Sequence, residues 1–234
     1  MTNMVADMFK DTLGKDDPNF IGLQNPGGTR ASLLDKDITY KQAAQVLPFA
    51  NTLTTTKITS AQFKKVLEQQ WQRAGTGEVP SRPYLQLGVS SNVTYTYDES
   101  RKEGDRITSV WVNGKPIDPK GTYTVGSGSF LIAGRDNFTE LAKGSKPVDS
   151  GKIDLSVWVD WIKAHKTLKP DFAKRAVSLT TSLHEGTSRD TTFTLGKPAD
   201  KAVAPDTVDF TSKDAVVNTI MKAQIVPVSY THLR

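Results

Sequence analysis

The sequence predicts an α+β fold, and three observations predict it. Segments with helical spacing and segments with strand alternation are mixed along the chain instead of strictly alternating. The stretch from Tyr84 to Val125 is strand-rich and contains Asn113-Gly114, a strong hairpin signal. A chain of 234 residues can bury one large domain plus a smaller one, and it holds no cysteine for a disulfide or a thiolate metal site.

The elements follow in order. Residues 3–13 place Val5, Met8, Phe9 and Leu13 at helical spacing. Phe20-Ile21-Gly22-Leu23-Gln24 reads as a short buried strand that runs into an Asn25–Arg30 turn. Thr39 is placed to cap a short helix through Val46. Leu53–Ile58 alternates as a strand does. Ser60 then caps a longer helix with Phe63, Val66, Leu67 and Trp71 on one face. Gly75–Pro83 is a loop rich in Gly and Pro. Tyr84–Val89, Val93–Tyr97, Ile107–Val112 and Tyr123–Val125 are strands. A helix begins near Asn137, and Asp154 caps another that carries Leu155, Trp158, Val159, Trp161 and Ile162.

The character changes near Leu168-Lys169-Pro170-Asp171. Residues 1–168 are expected as one domain and 169–234 as a small, incomplete β-rich region. The latter carries β-like runs at Ala176–Thr181 and Thr191–Leu195, and no helix before about Asp214. The end, Val226 to Arg234, closes no recognisable element and reads as truncated or non-native.

Composition excludes several function classes. The net charge of +5 comes from Lys and Arg dispersed among Asp and Glu, so the basic excess reads as solvated surface, and no nucleic-acid polymer is expected as a partner. No run of about 18 apolar residues exists, so no transmembrane segment is expected. Met1-Thr2-Asn3-Met4-Val5 lacks the basic-then-apolar pattern of a signal peptide. His165, His184 and His232 lie far apart, and no His, Asp and Glu residues show metal-ligand spacing, so no metal or other cofactor is expected in this chain. No serine sits in a Gly-x-Ser-x-Gly elbow, and Gly27-Gly28 is not followed by the Gly-Lys-Ser/Thr of a phosphate loop.

Three strings remain: Asn25-Pro26-Gly27-Gly28-Thr29-Arg30, Leu47-Pro48-Phe49-Ala50-Asn51, and Phe130-Leu131-Ile132-Ala133-Gly134-Arg135-Asp136-Asn137-Phe138. Each joins a Gly- or Pro-shaped backbone to an aromatic or charged side chain. Phenyl faces stack on a base, arginine pairs with an anion, and a carboxylate accepts from ribose hydroxyls. The inventory suits a planar, polar, anionic small molecule such as a nucleotide. Taken singly, the residues read otherwise as well: Phe49 and Phe130 as core phenyls, Asp136 as a helix cap, Arg30 as half of a surface ion pair.

In combination and order, the strings resemble the C-terminal domain of the 5'-nucleotidase / UDP-sugar hydrolase family, over roughly residues 3–165. Asn3-Met4-Val5-Ala6-Asp7 is similar to that domain's opening, and Asn25–Arg30 to its Asn-x-Gly-Gly-Ile-Arg turn. Asp37-Ile38-Thr39-Tyr40 with Val46–Asn51, and Phe130–Phe138, resemble the segments that present its two stacking phenylalanines. Asn113-Gly114-Lys115-Pro116 followed by Tyr123-Thr124-Val125 fits the same pattern. The resemblance implies a layered helix-and-sheet sandwich that grips a nucleotide or nucleoside. The base would lie between Phe49 and Phe130, with Asn51 at its edge and the ribose hydroxyls on Asp136. Arg30 would help to hold phosphate or ribose, Asn25 would lie at the domain interface near the phosphate, and Gly28 would belong to the same substrate-binding turn.

The partner it implies is an N-terminal metallophosphoesterase domain with two divalent metal ions, which hydrolyses the phosphate ester. This chain alone would not be catalytic. The parent would be extracellular, cell-wall-bound or periplasmic. Its substrate would be a 5'-nucleotide; the alternatives are a 2',3'-cyclic-nucleotide phosphodiesterase/3'-nucleotidase, a UDP-sugar hydrolase, a dinucleotide pyrophosphatase or, outside enzymes, a cell-surface interaction module. Ala50, Arg135 and Asn137 stand where the family commonly has glycine. Asn137 tolerates a left-handed backbone, and Arg135 adds a cation near the expected ribose site.

Overall fold

The computed structural model describes residues 1–33, 37–183 and 191–195. In chain order its elements are α1 (Thr2–Leu13), β1 (Ile21–Gln24), a 3-10 turn (Pro26–Gly28), α2 (Tyr40–Val46), β2 (Thr52–Thr59) and α3 (Ser60–Glu68). There follow β3 (Gly88–Val89), β4 (Val93–Tyr97), β5 (Ile107–Val112), β6 (Lys115–Pro116), β7 (Thr122–Gly128), α4 (Ser129–Ile132) and α5 (Thr139–Ala142). The last are β8 (Ser145–Ile153), α6 (Asp154–His165), β9 (Ala176–Leu183) and β10 (Thr191–Leu195). Helix and strand are mixed, as the sequence predicts.

The chain divides into two units. Met1–Asn92 joins Asp118–Asp171, and Val93–Ile117 goes with the described residues that follow Asp171. The expected limit at 168/169 falls close to the end of the first unit. Residues 93–117, however, group with the later chain, because β4 pairs in parallel with β9 (Tyr95 opposite Ala176). Nothing local in the sequence announces a partner that far downstream.

The first unit holds a five-stranded sheet in the order β3-β1-β7-β2-β8. β1 and β7 run parallel; β2 runs antiparallel to both β7 and β8. The apolar stripe of α1 buries Val5, Met8 and Phe9 in a cluster with Ala43, Val46, Leu47, Leu53 and Trp158, so α1, α2 and α6 share one core. The Trp161 Nε1 donates to Asp11 Oδ2 at 2.9 Å and ties α6 to α1. Thr39 caps α2 as expected, within a full capping box: Thr39 Oγ1 accepts from Gln42 N, and Gln42 Oε1 accepts from Thr39 N.

Several elements differ from expectation. Thr59, not Ser60, caps α3, again with a capping box, here through Gln62; the Ser60 hydroxyl is drawn away to the carbonyls of Asp118 and Gly121. α3 stops at Glu68, so Trp71 lies beyond it and forms a bridge with Tyr84. The predicted strand 84–89 narrows to Gly88–Val89. β8 is unpredicted: its Ser-Lys-Pro-Val-Asp-Ser-Gly-Lys run has no buried residue to set a period. Asp154 is the first helical residue of α6 and not its cap.

The second unit carries the sheet β10-β9-β4-β5-β6. The Asn113-Gly114 turn joins β5 to β6 with both residues at positive φ (53° and 68°), the backbone a two-residue hairpin needs. The runs predicted at 176–181 and 191–195 are β9 and β10, paired antiparallel. The helix expected near Asp214 and the irregular end lie outside the described residues, as does His184.

Candidate functional site

The three strings emerge from one end of the first sheet. β1 and β7 are parallel neighbours, so their carboxyl ends, Gln24 and Gly128, share that end. β2 is antiparallel to β7 with Leu53 opposite Gly128, which brings its amino end to the same place. β8 ends at Ile153, opposite Thr52, so α6 starts there too. Open sheets commonly place ligand crevices beyond the carboxyl ends of parallel strands. Here that end opens into a cleft of about 410 Å³.

Every site residue expected from the sequence borders this cleft: Asn25, Gly28, Arg30, Phe49, Asn51, Phe130 and Asp136. Residues far apart in sequence thus meet in one cavity. Phe49 and Phe130 stay 58% and 44% exposed, whereas Phe9, Phe20, Phe63 and Phe138 are fully buried. The core-phenyl reading of Phe49 and Phe130 therefore fails, and two exposed rings border a cleft that also holds charged and amide side chains.

The Asn25–Arg30 turn is held from both ends. Gly28 N donates to Asn25 O, and Arg30 N donates to Val46 O at 2.9 Å, which binds the turn to the end of α2. A Cβ at Gly28 would lie 2.6 Å from both Asn25 Oδ1 and Gln24 Nε2, so only glycine fits beneath these amides. Asn25 Nδ2 donates to Asp136 Oδ2 at 2.8 Å and links the first string to the third. Asp136 is thereby oriented by an amide instead of capping a helix, and no side chain caps α5.

The third string carries backbone strain. Asp136 and Asn137 both have positive φ (52° and 60°), as does Gly134, while Arg135 does not. Arg135 thus costs no strain where the resemblance would put glycine. It is exposed and lies outside the cleft lining. Ala50 also sits at φ 53°, which gives the physical reason for glycine at that position. Strained backbone persists only where surroundings hold it. A row of glutamines after α3 does so: Asn137 Nδ2 donates to Gln72 Oε1 at 3.0 Å, Gln69 Nε2 to Thr139 Oγ1 at 2.8 Å, and Glu140 N to Gln69 Oε1.

Sequence reasoning missed Gln24, Gly27, Arg82, Gly128, Leu131 and Asp154 in the lining. Asp154 holds Asn51 on three contacts. Asn51 N and Nδ2 each donate to Asp154 Oδ2 at 3.2 Å, and Asp154 N donates to Asn51 O at 2.9 Å. A carboxylate only accepts, so it fixes which face of the Asn51 amide points to it. The sequence placed Asp154 at a helix start, but its approach to Asn51 depends on the pairing of β8 with β2, which nothing local announces.

Burial raises the Asp154 carboxyl above the ordinary carboxylate range, against the lowering effect of hydrogen bonds from Asn51 and Leu155. A raised folded-state value favours the protonated form in the fold. Its contribution is fully present below the unfolded carboxylate range and is lost as pH rises through the folded value. Asp154→Asn removes this titration. The stability of the unaltered chain relative to that variant should fall as pH rises from about 4. Urea unfolding across a pH series reads this directly, and parallel pH profiles for the two proteins would contradict it.

A second, more open groove of about 560 Å³ lies between α1 and α6, lined in part by Asp11, Lys15, Lys152 and Trp161; it contains none of the expected site residues. Among the described residues, no group of three or more His, Cys, Asp and Glu side chains is placed to hold a metal ion.

Comparison with known proteins bears on this cleft. A family model described as 5'-nucleotidase, C-terminal domain, matches residues 1–143. The chain is similar to a 5'-nucleotidase-related protein of Glossina morsitans morsitans, 34% identical over 158 residues, covering 64% of this chain and 28% of that protein. It is similar to the NAD 5'-nucleotidase of Haemophilus influenzae, 30% identical over 177 residues, covering 70% of this chain and 28% of that protein. Among solved structures, the 5'-nucleotidase precursor from Thermus thermophilus matches with a TM-score of 0.65 and 29% identity, over 76% of this chain and 34% of that one. The chain therefore spans 28% of the length of each of these two curated relatives.

Proposed function

This chain belongs to the 5'-nucleotidase C-terminal domain family, and from that premise we propose that it is the nucleoside-gripping module of a metal-dependent nucleotide phosphohydrolase. The base stacks between Phe49 and Phe130. Asp136 takes the ribose hydroxyls, Asn51 meets the base edge, and Arg30 with Asn25 and the Gly28 turn holds the phosphate end. One observation carries the reading: two phenyl rings are left exposed in the cleft that also holds Asp136 and Arg30.

The chemistry is assigned elsewhere. The resemblance assigns the two divalent ions to a metallophosphoesterase domain of the parent; among the described residues no group of three or more His, Cys, Asp and Glu side chains is placed to hold one. This chain's side chains bind and orient; none is assigned a bond-breaking step. The parent's 5'-nucleotide preference and its place outside the cytoplasm rest on the resemblance. No helix among the described residues is long and apolar enough to cross a membrane.

Stacking contributes about 1–3 kcal/mol per contact. Two such contacts, less the cost of association, give an affinity no tighter than about millimolar for the chain alone. Ligand-observed NMR suits that range. Saturation transfer to the base protons of adenosine, uridine and AMP is expected with the unaltered chain and not with a folded Phe49→Ala/Phe130→Ala variant. AMP should stay intact throughout, with divalent metal added. Equal transfer in the variant would overturn the aromatic grip.

A further inference from the structure

We propose that Arg82 is a substrate-positioning residue that works with Arg30 as a guanidinium pair on the phosphoryl group of a nucleoside monophosphate; this rests on the function proposed above. Arg82 comes from the loop after α3, far in sequence from the three strings, yet it borders the same cleft. Among the described residues it makes no hydrogen bond or ion pair, so its donors are free for a ligand. The Arg30 guanidinium is nearly as free, with one long contact from Nη1 to Gly27 O at 3.5 Å.

Both guanidinium groups converge on one residue. A Cβ built on Gly27 would lie 3.9 Å from Arg82 Nη1, 3.2 Å from Asp136 Oδ2 and 3.5 Å from Asn25 Nδ2. Glycine at 27 therefore lets a cation, the proposed ribose acceptor and an amide donor crowd close to the backbone, where a Cβ would press on Asp136. A phosphate monoester carries about −1.5 to −2 charges near neutral pH. One arginine matches at most half of that. Within this chain Arg82 is the other cation in the cleft lining, so it is the group placed to match more of that charge beside whatever the partner domain supplies.

The loop presents Arg82 at low entropic cost. Pro80 and Pro83 fix their own backbone angles, and Arg82, directly before a proline, is confined to extended conformations. Both ends of the segment are tied down: Gln72 N donates to Pro83 O and Leu85 N to Gln70 O, each at 2.8 Å. Trp71 and Tyr84 pack beside it with ring centroids 5.1 Å apart.

The test compares adenosine with AMP, which differ only in the phosphate. NMR-monitored titrations would use the full 234-residue chain, unaltered and as Arg82→Ala, Arg82→Lys and Arg135→Ala, each checked for folding by thermal melting. Arg135 is the control, an exposed cation of a neighbouring loop outside the cleft lining. Arg82→Ala should weaken AMP about tenfold while leaving adenosine within about twofold, as expected for a lost charge-assisted hydrogen bond. Arg82→Lys should retain part of the AMP preference, because charge survives but the planar fork does not. An unchanged AMP-to-adenosine ratio in Arg82→Ala, or the same loss in Arg135→Ala, would overturn the pairing. Failure of the unaltered chain to bind either ligand would instead overturn the nucleoside-gripping reading beneath it.

Discussion

Trp158→Ala is expected to lower the unfolding free energy by about 3–5 kcal/mol, the usual cost of truncating a large buried aromatic. Trp158 is fully buried on α6 and packs into the cluster built from α1, α2 and β2. Trp161 stacks on it with ring centroids 5.4 Å apart. Little else is available to collapse into the space, because α6 is already anchored to α1 through Trp161 and Asp11. Domains typically hold about 5–15 kcal/mol in total, so the loss removes a large share. Trp158→Phe separates packing from polarity. The indole Nε1 is buried with no hydrogen-bond partner among the described residues. Removing it also removes an unmet desolvation cost, which offsets part of the lost volume. The phenyl variant should therefore cost clearly less than half of the alanine one. Urea unfolding followed by circular dichroism measures both; an alanine cost below about 1 kcal/mol would show that this cluster does not hold the unit together.

Asp136→Gly is expected to separate binding from stability. Asp136 has φ 52°, a region that costs a non-glycine residue about 1 kcal/mol. Glycine removes that strain but loses the hydrogen bond from Asn25 to the carboxylate, worth about 1.5–3 kcal/mol. Relief of the strain offsets part of this, so the melting temperature should fall by only a few degrees. The proposed ribose acceptor, however, is gone. Hydrogen bonds to charged groups contribute about 1.5–3 kcal/mol, so adenosine affinity should fall at least tenfold. Retained affinity in a folded variant would remove Asp136 from the site. A fold loss larger than the binding loss would make the residue structural.

The parts of the fold that sequence discloses are those with a local cause. α1 is legible because Val5, Met8 and Phe9 repeat at helical spacing against one core. α2 is legible because Thr39 and Gln42 stand three apart, in the register of a capping box. The three strings are legible because their Gly, Pro and Asn residues shape turns before any partner is known. What stayed hidden has a distant cause. β8 is an edge strand without a buried residue, and only its ladder to β2 makes it a strand. Thr59 and Ser60 look alike as caps until Asp118 and Gly121, far along the chain, take the serine hydroxyl. Arg82 and Asp154 carry no motif; they border the cleft because a loop and a helix start happen to end there.

The strand order also dictates when the molecule can become itself during synthesis. β7 separates β1 from β2, yet it is made long after both. Until residue 128 has left the ribosome, β1 and β2 have no common neighbour, and their edges stand open to whatever else is nearby. Pairings of such long sequence separation close slowly. β1 can pair with β3 before then, but β2 has neither of its partners, β7 and β8, while β4, β5 and β6 pass through. Phe130 and Asp136 emerge only after that wait, and Asp154 arrives with β8 and α6, so the last strand and helix of the first unit and the last residue of the cleft come from one stretch of chain.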